Sequence, residues 1–288
     1  MPQVAISSDF LTAILNLPKT QQKKVNQFVN KFRNDPHSSG INYEKINDAA
    51  NPYMRSVRID KAYRGIILKP EHGDVFILLW VAHHDDAYEW ARKHQCKINP
   101  TTGAIQLYAT ETSVDATIMK PSPEPVQPVV EPEAIPLFND YSDEQLIKIG
   151  LPSELIEQVR VNTNLVELEG MKDLLPNDAY EALYFIAEGI PYDEVLEDFT
   201  TDDTDVDIED YLAALKREGS KRRFVIVDDE ALQQMLDAPL DKWRVFLHPS
   251  QRKLVARNWN GPVRVLGGAG TGKTVAAIHR AKWLANQD

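Results

Sequence analysis

The stretch Val75 to Ala82 reads VFILLWVA, an unbroken apolar run. It is too short to cross a membrane as a helix. It also lacks the polar alternation of a strand with one wet face. It fits a central strand covered on both sides, so the chain must build a layer on each face of a sheet. The neighbouring residues can supply those layers. Arg55, Val57 and Ile59 alternate with Ser56, Arg58 and Asp60, as in a half-buried strand, and Tyr63 to Lys69 forms a second strand. Glu71-His72-Gly73-Asp74 is a hairpin turn. Upstream, Val25, Phe28, Val29 and Phe32 recur at helical spacing between Lys19 and Asn34, and Asn34-Asp35-Pro36 stops that helix. A shorter helix, about Asp9 to Leu17, precedes it. His83-His84-Asp85-Asp86 closes the apolar run, with a carboxylate placed to cap a last helix through Lys93. Residues 1–110 therefore predict an α+β module.

Charge divides the 288 residues into three blocks. Residues 1–110 carry a net +4, residues 111–220 a net -21 and residues 221–288 a net +6. Such a pattern predicts modules with different surfaces. Lys120 to Pro136, KPSPEPVQPVVEPEAIP, reads as an extended linker. From Ser142 to about Leu215 the pattern is helical, in short amphipathic segments. Asp202 to Asp210 is an acid-rich loop. Phe224-Val225-Ile226-Val227 is a short apolar run, and a helix is expected around Asp229 to Leu236. The organisation expected is a module over 1–110, a Pro-rich acidic linker over 111–140, an acidic helical region over 141–236 and a further segment over 237–288. A tethered acidic block beside a basic module also suggests that the connector partly masks the basic sheet face.

One cysteine, Cys96, rules out a disulfide framework and a cysteine zinc site. The N-terminus lacks the basic stretch of a signal peptide, and no apolar run approaches the roughly 18 residues of a membrane helix. These features lead us to expect a cytoplasmic protein without membrane contact.

The C-terminal block contains GGAGTGKT, Gly267 to Thr274, which fits the phosphate-binding pattern G-x-x-x-x-G-K-[ST]. The backbone of Gly267, Gly268, Ala269, Gly270, Thr271 and Gly272 would curl its N–H groups toward phosphates. Lys273 would reach the β- and γ-phosphates, and the Thr274 hydroxyl would bind Mg²⁺. Val263 to Leu266 reads as a strand and Val275 to Ala285 as a helix. That order aims a helix N-terminus at an anion. ATP with Mg²⁺ is the cofactor expected.

Leu247-His248-Pro249-Ser250-Gln251, a helix, Gly-Pro, a strand, GGAGTGKT and HRAKWLA follow one another at a spacing that resembles the start of a UvrD/Rep-like superfamily 1 helicase. The resemblance covers about the last fifth of the chain. It implies the first strand-loop-helix of a RecA-like α/β domain, an adenine-reading role for Gln251, and ATP-dependent movement on single-stranded DNA. Val275 departs from the basic residue many relatives carry at that point. The Walker B carboxylates, arginine fingers and second RecA-like domain of such helicases do not follow. The chain is accordingly expected to be a fragment of a longer enzyme and inactive by itself. The alternative is a naturally short protein that uses its P-loop as an interaction surface.

Residues 53–94, YMRSVRIDKAYRGIILKPEHGDVFILLWVAHHDDAYEWARKH, look like a RelE/ParE-type toxin fold, a helical hairpin on a small antiparallel sheet. The segments SVRI, HHDDAY and PTTGAIQL resemble a subgroup fused ahead of UvrD-like helicases. That resemblance implies basic side chains on the sheet that hold phosphate, plus a group that moves protons. Arg55, Arg58, Arg64, His83 and His84 are the candidates, set against solvated arginines and strand-ending histidines. Three readings of residues 1–110 stay open: a nucleic-acid or protein-binding module, an endoribonuclease or translation-inhibiting toxin acting on RNA, and a non-catalytic adaptor. Tyr53, Tyr63, Trp80, Tyr88 and Trp90 could stack on bases, although Trp80 and Trp90 fall in core patterns. The His-His-Asp-Asp run makes a poor chelate, because adjacent strand residues point to opposite faces.

Overall fold

The apolar run lies inside a six-stranded mixed sheet in the computed structural model, which describes residues 2–110, 135–197, 206–226, 255–256, 265 and 273–286. Its strands are β1 (Gln3–Ser7), β2 (Tyr43–Lys45), β3 (Met54–Arg58), β4 (Tyr63–Leu68), β5 (Val75–His83) and β8 (Phe224–Ile226), in the order β2-β3-β4-β5-β1-β8. β1 runs parallel to β5 with Gln3 opposite Val75, and the other pairings are antiparallel.

Both faces of β5 are covered, as its composition demands. Helices α1 (Ser8–Asn16) and α2 (Lys19–Asn34) lay Phe10, Ile14, Val25, Val29 and Phe32 against Val4, Ile6, Val57, Phe76 and Leu78. On the opposite face, α3 (His84–Lys93) and the two-stranded ribbon β6 (His94–Ile98) and β7 (Ile105–Ala109) bring Ala87, Ala91, Cys96 and Leu107 onto Met54, Ile66, Leu68, Ile77 and Leu79. Each large apolar side chain buried this way stabilises the fold by about 1.5–3 kcal/mol. Buried Ser7 joins strand to helix. Its hydroxyl donates to Leu79 O and accepts from Phe10 N, capping α1.

A helical unit follows: α4 (Asp143–Lys148), a 3-10 turn (Ser153–Leu155), α5 (Ile156–Arg160), α6 (Leu165–Gly170), α7 (Asn177–Ala187) and α8 (Tyr192–Glu197). Phe138, Leu146, Leu151, Val159, Tyr180 and Leu183 form its core, which Tyr108 of the ribbon enters. Gln106 Nε2 donates to Gly150 O (2.7 Å) and Asp178 Oδ2 (3.1 Å), Ala109 N donates to Leu174 O, and Lys97 pairs with Glu154 at 2.6 Å.

The chain then returns to the sheet. Helices α9 (Tyr211–Leu215) and α10 (Glu218–Arg223) lead into β8, which pairs with β1. Tyr211, Leu215 and Phe224 enter the second core. Arg223 reaches Asp9 through both Nε (2.8 Å) and Nη2 (2.9 Å), while its Nη1 donates to Leu107 O. Phe224–Ile226, read from the sequence as part of a short apolar run, pairs with β1 at the edge of the first sheet. Helix α11 (Lys273–Ala285) is the last element described, and its Arg280 donates to Val255 O at 2.6 Å.

The sequence reading anticipates α1, α2, β3, β4, β5, α3 and the helical character after residue 142. It misses β1, β2 and the ribbon β6–β7, all short and without a full alternating pattern. One detail differs: α3 is capped by His83 without a side-chain bond, while Asp85 and Asp86 sit in its first turn. Most of the linker over 111–140, the expected helix at 229–236, Gln251 and the loop residues Gly267, Gly268, Ala269, Gly270, Thr271 and Gly272 lie outside the described residues. Val265 is described, 42% exposed and in no strand. The described fold is α+β with a mixed sheet, and a RecA-like domain is not part of it.

Candidate functional site

Strand register builds a polar cluster at one end of the sheet, on the α3 face. Glu44, Ser56, Ile66 and Trp80 form one cross-strand row, and Arg58, Arg64 and Ala82 form the next. Residues directly opposite one another share a face. The turn between β3 and β4 is pinned by Asp60, whose Oδ1 accepts from Ala62 N and Tyr63 N. Burial alone would raise the Asp60 carboxyl, but the bond from Lys24 (2.6 Å) and the two backbone donors outweigh it and hold it at about 2. His84 N donates to Ala62 O, which ties the start of α3 to this turn.

Arg58 and Arg64 differ in their surroundings. Arg58 is 61% exposed and its Nη2 lies 3.7 Å from Glu44 Oε1. Arg64 is only 6% exposed and donates through Nη1 to the carbonyls of Asp60 (3.0 Å) and Tyr63 (3.1 Å). Its buried Nε has no hydrogen-bond partner. No carboxylate pairs with it among the described residues. A buried guanidinium held by carbonyls alone is an uncommon arrangement, because buried charges are normally paired.

Helix α3 adds Tyr88 and His84. The Tyr88 hydroxyl lies 2.9 Å from Ser56 Oγ and donates to Glu44 Oε2 at 3.4 Å. The His84 ring stacks on Tyr88, with centroids 4.6 Å apart and planes 21° apart. Its Nδ1 lies 2.9 Å from Asp85 Oδ1, and that contact holds the exposed Asp85 carboxyl below its ordinary range.

The five candidates from the sequence are thus divided. Arg58, Arg64 and His84 gather around the α3 face. His83 is paired with Tyr63 across the strands, in an edge-to-face ring contact at 5.7 Å, and belongs to the opposite face. Arg55 donates to the carbonyls of Pro52 and Met54 and lies outside the cluster. Sequence reasoning did not single out Glu44, Ser56 or Asp85. Only the period-2 pattern around Tyr43 could have placed Glu44 on a face, and it is too short to read. The acidic helical unit docks on the ribbon, and neither Arg58 nor Arg64 bonds to it among the described residues.

In the C-terminal block, Lys273 and Thr274 open α11, with Thr274 exposed. Among the described residues no group of histidine, cysteine, aspartate and glutamate side chains is arranged to hold a metal, and no helix is long and apolar enough to cross a membrane.

No protein-family model matches the sequence, and neither does any curated protein. A comparison with solved structures finds a likeness to the RelB-RelE antitoxin-toxin complex from Methanococcus jannaschii. It covers 30% of this chain and 95% of that one, at 17% identity and a TM-score of 0.25. A likeness this weak carries no argument about fold or activity.

Proposed function

We propose that the chain is the N-terminal part of an ATP-dependent helicase that moves on single-stranded DNA, with its α+β module serving to bind nucleic acid. The observation that carries this reading is the GGAGTGKT motif followed by a helix that begins at Lys273. In P-loop proteins the lysine and threonine that close this motif, at the start of the following helix, hold phosphates and Mg²⁺, which supports the reading. ATP with Mg²⁺ would supply the driving reaction; these residues would bind and orient its phosphates. The test is binding of a fluorescent ATP analogue with Mg²⁺ to the 288-residue chain. Weak binding is expected, reduced about tenfold or more in Lys273→Ala, because a hydrogen bond to a charged group contributes about 1.5–3 kcal/mol. DNA-stimulated hydrolysis is not expected. Equal binding by the wild type and Lys273→Ala overturns the reading.

The contact between His84 and Asp85 favours a second reading, an endoribonuclease. A carboxylate on Nδ1 orients an imidazole for proton transfer through Nε2, beside two arginines that could hold a phosphate. RNA cleavage lost in both Arg58→Ala and His84→Ala would promote it, and no cleavage by the wild type would retire it.

A further inference from the structure

Glu44 reaches into the polar cluster from β2, the outermost strand and only three residues long. Its Oε1 lies 3.7 Å from Arg58 Nη2 and accepts from Asn42 Nδ2 at 3.2 Å, while Oε2 accepts from Tyr88. Charge-assisted hydrogen bonds are about 2.7–2.9 Å long, so the pair with Arg58 is loose. Directly across from Arg58 stands Arg64, with its unpartnered Nε. Like charges facing each other across strands are unfavourable. Among the described residues, Glu44 is the carboxylate that pairs with either of them. The register therefore sets two cations side by side and gives the exposed one, Arg58, a single distant anion on a peripheral strand.

We propose that Glu44 is an internal stand-in for a phosphodiester of single-stranded nucleic acid, occupying the anion position beside Arg58, which faces Arg64 across the strands, and giving way when a strand binds. The proposal rests on the nucleic-acid-binding reading of the module and adds the residue that sets its affinity. A phosphodiester fits better than the carboxylate of an acidic peptide. The partly exposed His84 ring stacks on Tyr88, whose hydroxyl donates to Glu44, and unpaired bases stack on such rings. Glu44 competes electrostatically with the strand, so the site takes up nucleic acid only when the strand out-competes the carboxylate.

The test uses the full chain carrying Lys273→Ala, so that the P-loop does not take up phosphate. The probes are fluorescent oligothymidylate and oligouridylate. Glu44→Gln keeps an acceptor for Tyr88 and should bind roughly two- to fivefold more tightly, the range set by an exposed ion pair. The gain should shrink as salt rises. Glu71→Gln makes the same charge change beyond the other end of β4 and should produce no such gain. Arg58→Ala, at an exposed position, should weaken binding and lower the salt slope by about one. Unchanged affinity in Glu44→Gln, or an equal gain in Glu71→Gln, overturns the proposal. Displacement of the probe by inorganic phosphate or an acidic peptide as readily as by unlabelled strand assigns the site to that ligand and also overturns it. ATP-analogue binding compared between wild type and Lys273→Ala is independent, so its failure counts against the helicase reading alone.

Discussion

The sheet module and the helical unit use their polar side chains in opposite ways. In the helical unit they close local structure. Ser142 and Gln145 form a reciprocal capping box, and Asn164 caps α6 by accepting from Glu167 N. In the sheet module the polar groups at the end of β3 and β4 are gathered by register from separate strands. Arg64 is left with carbonyl partners and Arg58 with a distant carboxylate. The contrast shows how a fold leaves binding capacity over. Groups that meet partners a few residues away are satisfied as the helix forms, whereas groups brought together by strand pairing meet whatever the register dictates. The net -21 of residues 111–220 is therefore weaker evidence for a ligand than one pair of facing arginines.

The largest expected effect tests whether residues 206–226 belong to the sheet module. Arg223→Ala leaves the Asp9 carboxylate without its partner. Burial would raise that carboxyl, yet Arg223 holds it below its ordinary range through charge and two hydrogen bonds. Breaking one side of such a pair costs about 3–5 kcal/mol. Urea unfolding should show the loss, and amides of β1 opposite β8 should exchange faster. The double variant Asp9→Asn with Arg223→Met should recover much of it, because no unpaired charge remains. A loss below about 1 kcal/mol in Arg223→Ala would mean that β8 is held by its pairing with β1 and by apolar packing, without help from the ion pair.

This ion pair also marks the limit of what the sequence made legible. α2 could be read because Val25, Val29 and Phe32 repeat within one element and Asp35-Pro36 ends it. β5 could be read because both cores need it apolar. β1 could not, since Gln3–Ser7 is too short to show a period and its partners lie near residues 75 and 225. Phe224–Ile226 was visible as apolar, but nothing local distinguishes β1 from Val263–Leu266 as its neighbour. In the candidate site the arginines stood out as residue types. Their division from His83, and the approach of Glu44, depend on register across strands, which one-residue offsets invert.

An intermediate effect concerns the joint between the two units. Gly150 has φ +94°, a conformation that side chains other than glycine rarely adopt. A Cβ there would also stand 3.3 Å from Gln106 Nε2 and 3.4 Å from Asp178 Oδ2. Gly150→Ala should cost about 1–3 kcal/mol in backbone strain. It should show first as faster proteolysis between the ribbon and α7, with the sheet module retained. If Gly150→Ala lowers the sheet module and helical unit by the same amount, they unfold as one body and the comparison loses its basis.

The smallest effect is a difference in sign. Asp60 belongs to the sheet module, and its carboxyl is held at about 2 against an ordinary 3.8. Its contribution is present above the ordinary value and is lost as pH falls through the folded one. Asp178 sits at the joint. Burial raises its carboxyl despite the bond from Gln106 and the nearby charge of Arg223. The protonated form is therefore favoured in the fold, so its contribution is largest in acid and lost as pH rises through the raised value. Acid should thus weaken the β3–β4 turn while tightening the joint. Asp178→Asn keeps an oxygen for Gln106 and removes the charge. It should raise the stability of the joint at neutral pH and change it little in acid, measured as proteolytic half-life across the two conditions. Equal destabilisation at both pH values would show that the Asp178 carboxylate, and not its neutral form, is what the joint requires.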